Sequence, residues 1–163
     1  MQEVYKNLYV GNDQDCSINY DNEDYAIIHA CKIHCHQKAL NYKRSLPQEH
    51  PNYLTYLKDN HLFLNLVDIP TEFLPKYTDP IMQEAMQFIE NNINTKKVLI
   101  HCNQGCSRSP SIALLYLAKN NLISNSNYIK TKEDFLKIYN QYSPNTGIEK
   151  YLENNWKKLM IEL

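Results

Sequence analysis

The stretch from Val98 to Leu117, VLIHCNQGCSRSPSIALLYL, constrains the fold more than any other part of the chain. A short apolar run, Lys97 to His101, leads into Cys102. A loop with one glycine follows, and Ser109-Pro110 then opens an apolar segment. Proline suits the first turn of a helix, where its missing N–H would be unpaired anyway. The run before the loop has the length of a buried strand. A strand that passes through a tight loop into a helix points to an α/β architecture around a central sheet.

Other segments fit that architecture. Val4 to Val10, Tyr25 to Ala30 and Leu62 to Val67 read as strands. Asp79-Pro80 predicts a helix start, with the stripe Ile81, Ala85, Phe88 and Ile89 at helical spacing. Thr131 to Asp134 resembles a capping box, and Gly147 to Leu163 predicts a last helix around Leu152, Trp156 and Leu159. Cys31 to Asn60 is the least regular part, with a long loop and a short helix near Asn52 to Lys58. The expectation is one α/β domain over residues 1–163. Its sheet is mostly parallel or mixed, with four to five strands flanked by helices. A chain of 163 residues suits one core of this kind.

The formal net charge of −1 supplies no general field to draw in nucleic acid or an anionic membrane. An anionic substrate would have to be caught by a local site. No apolar run has the length of a membrane span, and the N-terminus lacks the apolar segment of a signal peptide. The five cysteines are odd in number and irregularly spaced, a poor disulfide framework. These features predict a cytoplasmic monomer in a reducing compartment, with export by a signal-independent route left open.

The spacing Cys102-x5-Arg108 carries the chemistry. Five residues, Asn103, Gln104, Gly105, Cys106 and Ser107, can curl so that successive backbone N–H groups point inward. With the helix N-terminus behind them they form an anion cradle. Gly105 permits the turn. Arg108 offers a planar fork for two phosphate oxygens, and Cys102 sits at the floor. Cradles of this kind favour a thiolate over a thiol, which makes the cysteine a nucleophile toward a bound phosphate monoester. Ser109 is placed to donate to its sulfur. His101 is expected to orient the loop through backbone contacts.

The run HCNQGCSRSP resembles the loop of the dual-specificity branch of the protein tyrosine phosphatase superfamily. Asn7 to Gly11 is similar to that family's opening strand, and Leu64-Asn65-Leu66 to its strand before the acid loop. Ala113 to Leu117 resembles the helix behind the nucleophile, and Pro144 to Ile148, which contains Asn145, a turn near the C-terminus that supports the loop. The resemblance implies hydrolysis of phosphotyrosine in a protein substrate, with phosphoserine and phosphothreonine as further substrates. It implies a phosphocysteine intermediate and neither cofactor nor metal. Alternatives are a phosphoinositide, an RNA 5′-phosphate, or a non-catalytic phosphate-binding module. The loop's interior residues carry no lysine, which argues against polyphosphorylated substrates.

Such a reaction needs a carboxylic acid to protonate the leaving oxygen. Asp68, at the end of LFLNLV, is the first candidate, Glu72 the second, and a structural role for Asp68 the third; Asp79 is read as a helix cap. His29, Cys31, His34, Cys35 and His36 lie close in sequence, but their spacing matches no common zinc finger. Cys106 reads as a small filler rather than a redox partner of Cys102. Lys43-Arg44 reads as a solvated pair.

Overall fold

The computed structural model describes residues 1–162. Six strands form one mixed sheet in the order β1-β2-β6-β3-β5-β4. They are β1 (Gln2–Tyr5), β2 (Leu8–Gly11), β3 (Tyr25–His29), β4 (Thr55–Lys58), β5 (His61–Leu64) and β6 (Lys97–His101). The central four, β2, β6, β3 and β5, run parallel, while β1 and β4 pair antiparallel on the two edges.

The two edge hairpins raise the strand number above the four to five expected from the sequence. Val4 to Val10 is a hairpin rather than one strand, because Asn7 takes a positive φ of 63° and turns the chain. The short helix expected near Asn52 to Lys58 is β4, which folds back onto β5 through Asp59 at φ 52°. Asparagine and aspartate tolerate this left-handed conformation better than other non-glycine residues.

The helices are α1 (Asp13–Asn19), α2 (Gln37–Ala39), α3 (Pro75–Asn92), α4 (Arg108–Lys119), α5 (Tyr128–Ile138) and α6 (Thr146–Glu162). Helix α3 starts at Pro75, so Asp79 lies inside it and does not cap it. Its carboxylate instead accepts from the Tyr151 hydroxyl at 2.7 Å and pairs with Lys158 at 2.6 Å, stitching α3 to α6. Helix α5 starts at Tyr128, capped by Asn127, whose side chain accepts from the Lys130 N–H. Thr131 is therefore a buried interior residue. No described helix is long and apolar enough to cross a membrane.

Strand alternation divides the interior into unequal layers. Ala26, Ile28, Val98 and Ile100 face the large core shared with α3 to α6. Ile27 and Leu99 face the other way, into a small cluster with Cys16 and Tyr25 under α1. His29 and His101 continue that second face, and both are buried. The carboxyl ends of the parallel strands open onto one edge, the usual place for a site in such sheets.

Candidate active site

The loop from Cys102 to Ser107 joins β6 to α4 at that edge. Gly105 has φ 75°, and a Cβ there would come within 2.8 Å of the Gly11 carbonyl. Only glycine meets both conditions without strain. Ser107 stands at the N-cap of α4, yet its side chain makes no capping bond. Its hydroxyl accepts from the Asn145 N–H at 3.0 Å and donates to Asp68 Oδ1 at 3.4 Å. The first amides of α4 are thereby left for an anion.

Cys102 is buried, and Ser109 Oγ donates to its sulfur at 3.2 Å. Arg108 is 5% exposed and folds across the same loop. Its Nη1 donates to Leu66 O at 3.2 Å and its Nη2 to Asn103 Oδ1 at 2.7 Å. Its Nε is buried without a hydrogen-bond partner, 3.7 Å from Asp68 Oδ2. The fork is thus held flat from two sides while one donor stays available.

Asp68 reaches the rim of this loop, through Ser107 and Arg108. Glu72 does not. Its carboxylate accepts from Asn154 Nδ2 at 2.9 Å and is tied to α6. Lys43 and Arg44 are exposed, and their carbonyls accept from Gln37. The Cys106 thiol lies 3.6 Å from Gln104 Oε1. Burial, then the neighbouring Cys102 and Asp68, raise its pKa, which keeps it a thiol.

The loop is braced by residues that sequence reasoning passed over. Tyr139 donates its hydroxyl to Gly105 O at 2.8 Å, and burial pushes its pKa up to about 12, so it remains a donor. The Ser143 N–H donates to Cys106 O at 2.8 Å. Ser111 Oγ donates to Ser107 O at 2.8 Å and meets the Tyr142 hydroxyl at 3.0 Å. The segment 139–145 between α5 and α6 therefore grips the loop from behind. Its tyrosines look like ordinary core residues in the sequence.

His101 does more than its backbone suggests. Its carbonyl accepts from the Ala30 N–H at 2.9 Å, and its Nε2 meets His29 Nδ1 at 2.8 Å. Its Nδ1 faces Asp13 Oδ1 at 3.3 Å, out of line for a hydrogen bond. Burial opposes a charge on His101, but Asp13 and the Cys16 and Cys35 thiols outweigh it, and its pKa is raised well above the ordinary value. Asp13 is held below the usual carboxylate range by the same contact. The closeness of the Cys31 and Cys35 thiols raises the pKa of the first and lowers that of the second. Among the described residues, two sets could hold a metal: Asp13, Cys31, Cys35 and His101, and Cys16, His29 and His101.

Residues 8–147 match the family described as dual specificity phosphatase, catalytic domain. Over 113 residues the chain is 34% identical to the dual specificity protein phosphatase YVH1 of Plasmodium falciparum, covering 67% of this chain and 18% of that protein. The matched region spans 18%, 8% and 32% of the length of three curated relatives. Its fold resembles that of DUSP15, with a TM-score of 0.63 and 21% identity over 98% of this chain and 92% of that one. It also resembles a human tyrosine phosphatase-like serine/threonine/tyrosine-interacting protein, with a TM-score of 0.63 and 19% identity over 97% and 96% of the two chains.

Proposed function

The chain belongs to the dual specificity phosphatase catalytic-domain family, and from that premise we propose that it hydrolyses phosphate monoesters on protein side chains through a phosphocysteine intermediate. Phosphotyrosine is the first substrate of this proposal, and phosphothreonine and phosphoserine extend it. The observation that carries it is the meeting of three groups at one loop. Ser109 bonds to the Cys102 sulfur, Arg108 spans the loop, and Asp68 lies at its rim.

In the first step the phosphate enters the loop, and the amides and Arg108 take its charge. Cys102 Sγ attacks phosphorus as the bond to the leaving oxygen breaks. Asp68, as a carboxylic acid, gives that oxygen its proton. In the second step Asp68, now a carboxylate, takes a proton from water as the water attacks phosphorus. The S–P bond breaks, inorganic phosphate leaves, and the Ser109 hydroxyl stabilises the returning thiolate. The residues alone supply every charge and proton in this sequence, so the chemistry calls for no metal or cofactor. Asn103 to Ser107 bind the phosphate, while His101 and Asn145 position the loop.

The protein acts on this reading as a monomer, in a reducing compartment such as the cytoplasm that keeps its thiols free. The test is Cys102→Ser. It should abolish turnover of a phosphotyrosine peptide and retain binding of that peptide, because the cradle persists. Hydrolysis above an Arg108-inactivated control would remove Cys102 from its role.

A further inference from the structure

We propose that Asp13, Cys31, Cys35 and His101 form a zinc site that clamps the strand end beneath the nucleophile loop. The four side chains come from three separated segments: the start of α1, the turn after β3, and the last residue of β6. One ligand atom from each lies within 4.8 Å of all the others. Bonds of 2.0–2.3 Å in a tetrahedral zinc site place ligand atoms about 3.3–3.8 Å apart. Closing the cluster onto a cation thus asks for shifts of about 1 Å or less.

An independent observation points to a ligand. His101 is 1% exposed, and its Nδ1 is buried with no hydrogen-bond partner, 3.3 Å from Asp13 Oδ1. Buried polar nitrogens are otherwise paired, so an orphan beside a carboxylate, on a residue clustered with two cysteines, marks a place for a cation. The second set, Cys16, His29 and His101, is closed on itself. His29 Nδ1 meets Cys16 Sγ at 3.7 Å and His101 Nε2 at 2.8 Å. It supplies the outer support instead. In the neutral form that would bind a metal, His101 Nε2 would donate to His29 Nδ1, and His29 Nε2 to His61 Nδ1 at 2.9 Å. This chain fixes the tautomer that leaves Nδ1 free to bind metal. Asp13 is supported in the same way, because its Oδ2 accepts from Asn103 Nδ2 at 3.3 Å and leaves Oδ1 toward His101.

Two cysteine sulfurs, an imidazole and a carboxylate suit zinc and exclude magnesium and calcium, which take oxygen. A cavity of about 490 Å³, lined by Asp13, Cys35, His34, Lys38 and His101, gives the ion a way in. Binding would release to solvent the protons still held by the two thiols and by His101 Nδ1, in exchange for the dication. The neighbouring histidines in sequence are not ligands. His34 is exposed at φ 72°, and His36 bonds to Tyr42 and to the Asn52 carbonyl. A pattern sought within residues 29–36 misses the site because half its ligands lie elsewhere.

The experiment uses the whole chain, purified under reducing conditions, stripped with a chelator and titrated with cobalt(II), then with zinc. The expected result is about one cobalt per chain with a sulfur-to-cobalt charge-transfer band, displaced by zinc. Cys35→Ser and Cys31→Ser should lose most of that band. Cys16→Ser and Cys102→Ser should keep it. Asp13→Asn, at an exposed position, should keep the band and weaken binding about tenfold or more, which serves if a cysteine variant fails to fold. A band that survives Cys35→Ser, or vanishes with Cys16→Ser, overturns the assignment. So does the absence of any band in the native chain, whether a thiol count finds Cys31 and Cys35 free or joined as a disulfide.

Discussion

Two segments meet at the proposed active site and are held in opposite ways. The nucleophile loop, 102–107, is braced on every side by Gly11, Tyr139, Ser143 and Asn145, and Cys102 and Arg108 are almost fully buried. The acid-bearing segment, from Asn65 to Leu74, has no regular secondary structure. Asp68 is 37% exposed, and its contacts to Ser107 and Arg108, at 3.4 Å and 3.7 Å, are long. Beside that segment lies an apolar cleft of about 350 Å³, lined by Leu66, Ile69, Phe73 and Tyr77. The difference matches the two tasks. A cradle for a transition state works by being preorganised, whereas an acid must meet leaving groups of several shapes.

The comparison breaks first at Arg108. Arg108→Lys should lower kcat by roughly 10³–10⁵-fold on any phosphate monoester, because a point charge replaces a planar fork. Retained activity above a tenth of the native rate would mean that the amides alone carry the charge. Asp68→Asn should slow a poor leaving group, such as an alkyl phosphate or phosphothreonine peptide, by roughly 10²–10⁴-fold. A substrate whose leaving group departs unprotonated should lose far less. If Glu72→Gln shows these effects instead, the acid is Glu72.

The nucleophile loop was legible in the sequence because its chemistry and its local structure coincide. Strand, glycine turn and Pro-started helix all fall within residues 97–119, and β6 has the bounds its apolar run predicts. The acid segment was legible only as the end of a strand, which stops at Leu64 rather than Val67. The edge hairpins were missed because this chain, with 3 glycines, turns at Asn7 and Asp59 instead. Such turns carry no glycine signal, and Thr55 to Lys58 is too short for alternation to stand out. The bracing by Tyr139 and Ser143 depends on contacts across 34 or more residues, which no local pattern encodes.

Gly147 sharpens the comparison, since it holds the acid segment without touching the cradle's charge. The Phe73 N–H donates to its carbonyl at 3.2 Å, and a Cβ at Gly147 would collide with the Ile69 and Thr71 carbonyl oxygens. Gly147→Ala must therefore displace the segment that carries Asp68. The expected loss is about tenfold on a poor leaving group, with little change on an activated one and a stability cost of about 1–3 kcal/mol. An equal loss on both substrates would show that the displacement reaches the cradle.

The smallest effect should come from the opposite side. Tyr139→Phe removes the hydroxyl that satisfies the Gly105 carbonyl and leaves the ring in place. Loss of a partner for a buried carbonyl costs about 1–3 kcal/mol of stability, read as a lower urea midpoint with an unchanged slope. The loop keeps its other restraints at Gly11, Ser143 and Asn145, so only a small part of that cost reaches the transition state. A loss of kcat/KM of a few-fold, about 0.5–1 kcal/mol, should appear equally on good and poor leaving groups. That equality separates the two segments. A defect in the cradle weakens phosphate binding whatever departs, whereas a defect in the acid segment is graded by how much the departing oxygen needs a proton. If Tyr139→Phe instead spares the activated substrate and slows phosphothreonine, the brace acts through Asp68, and cradle and acid segment form one mechanical unit.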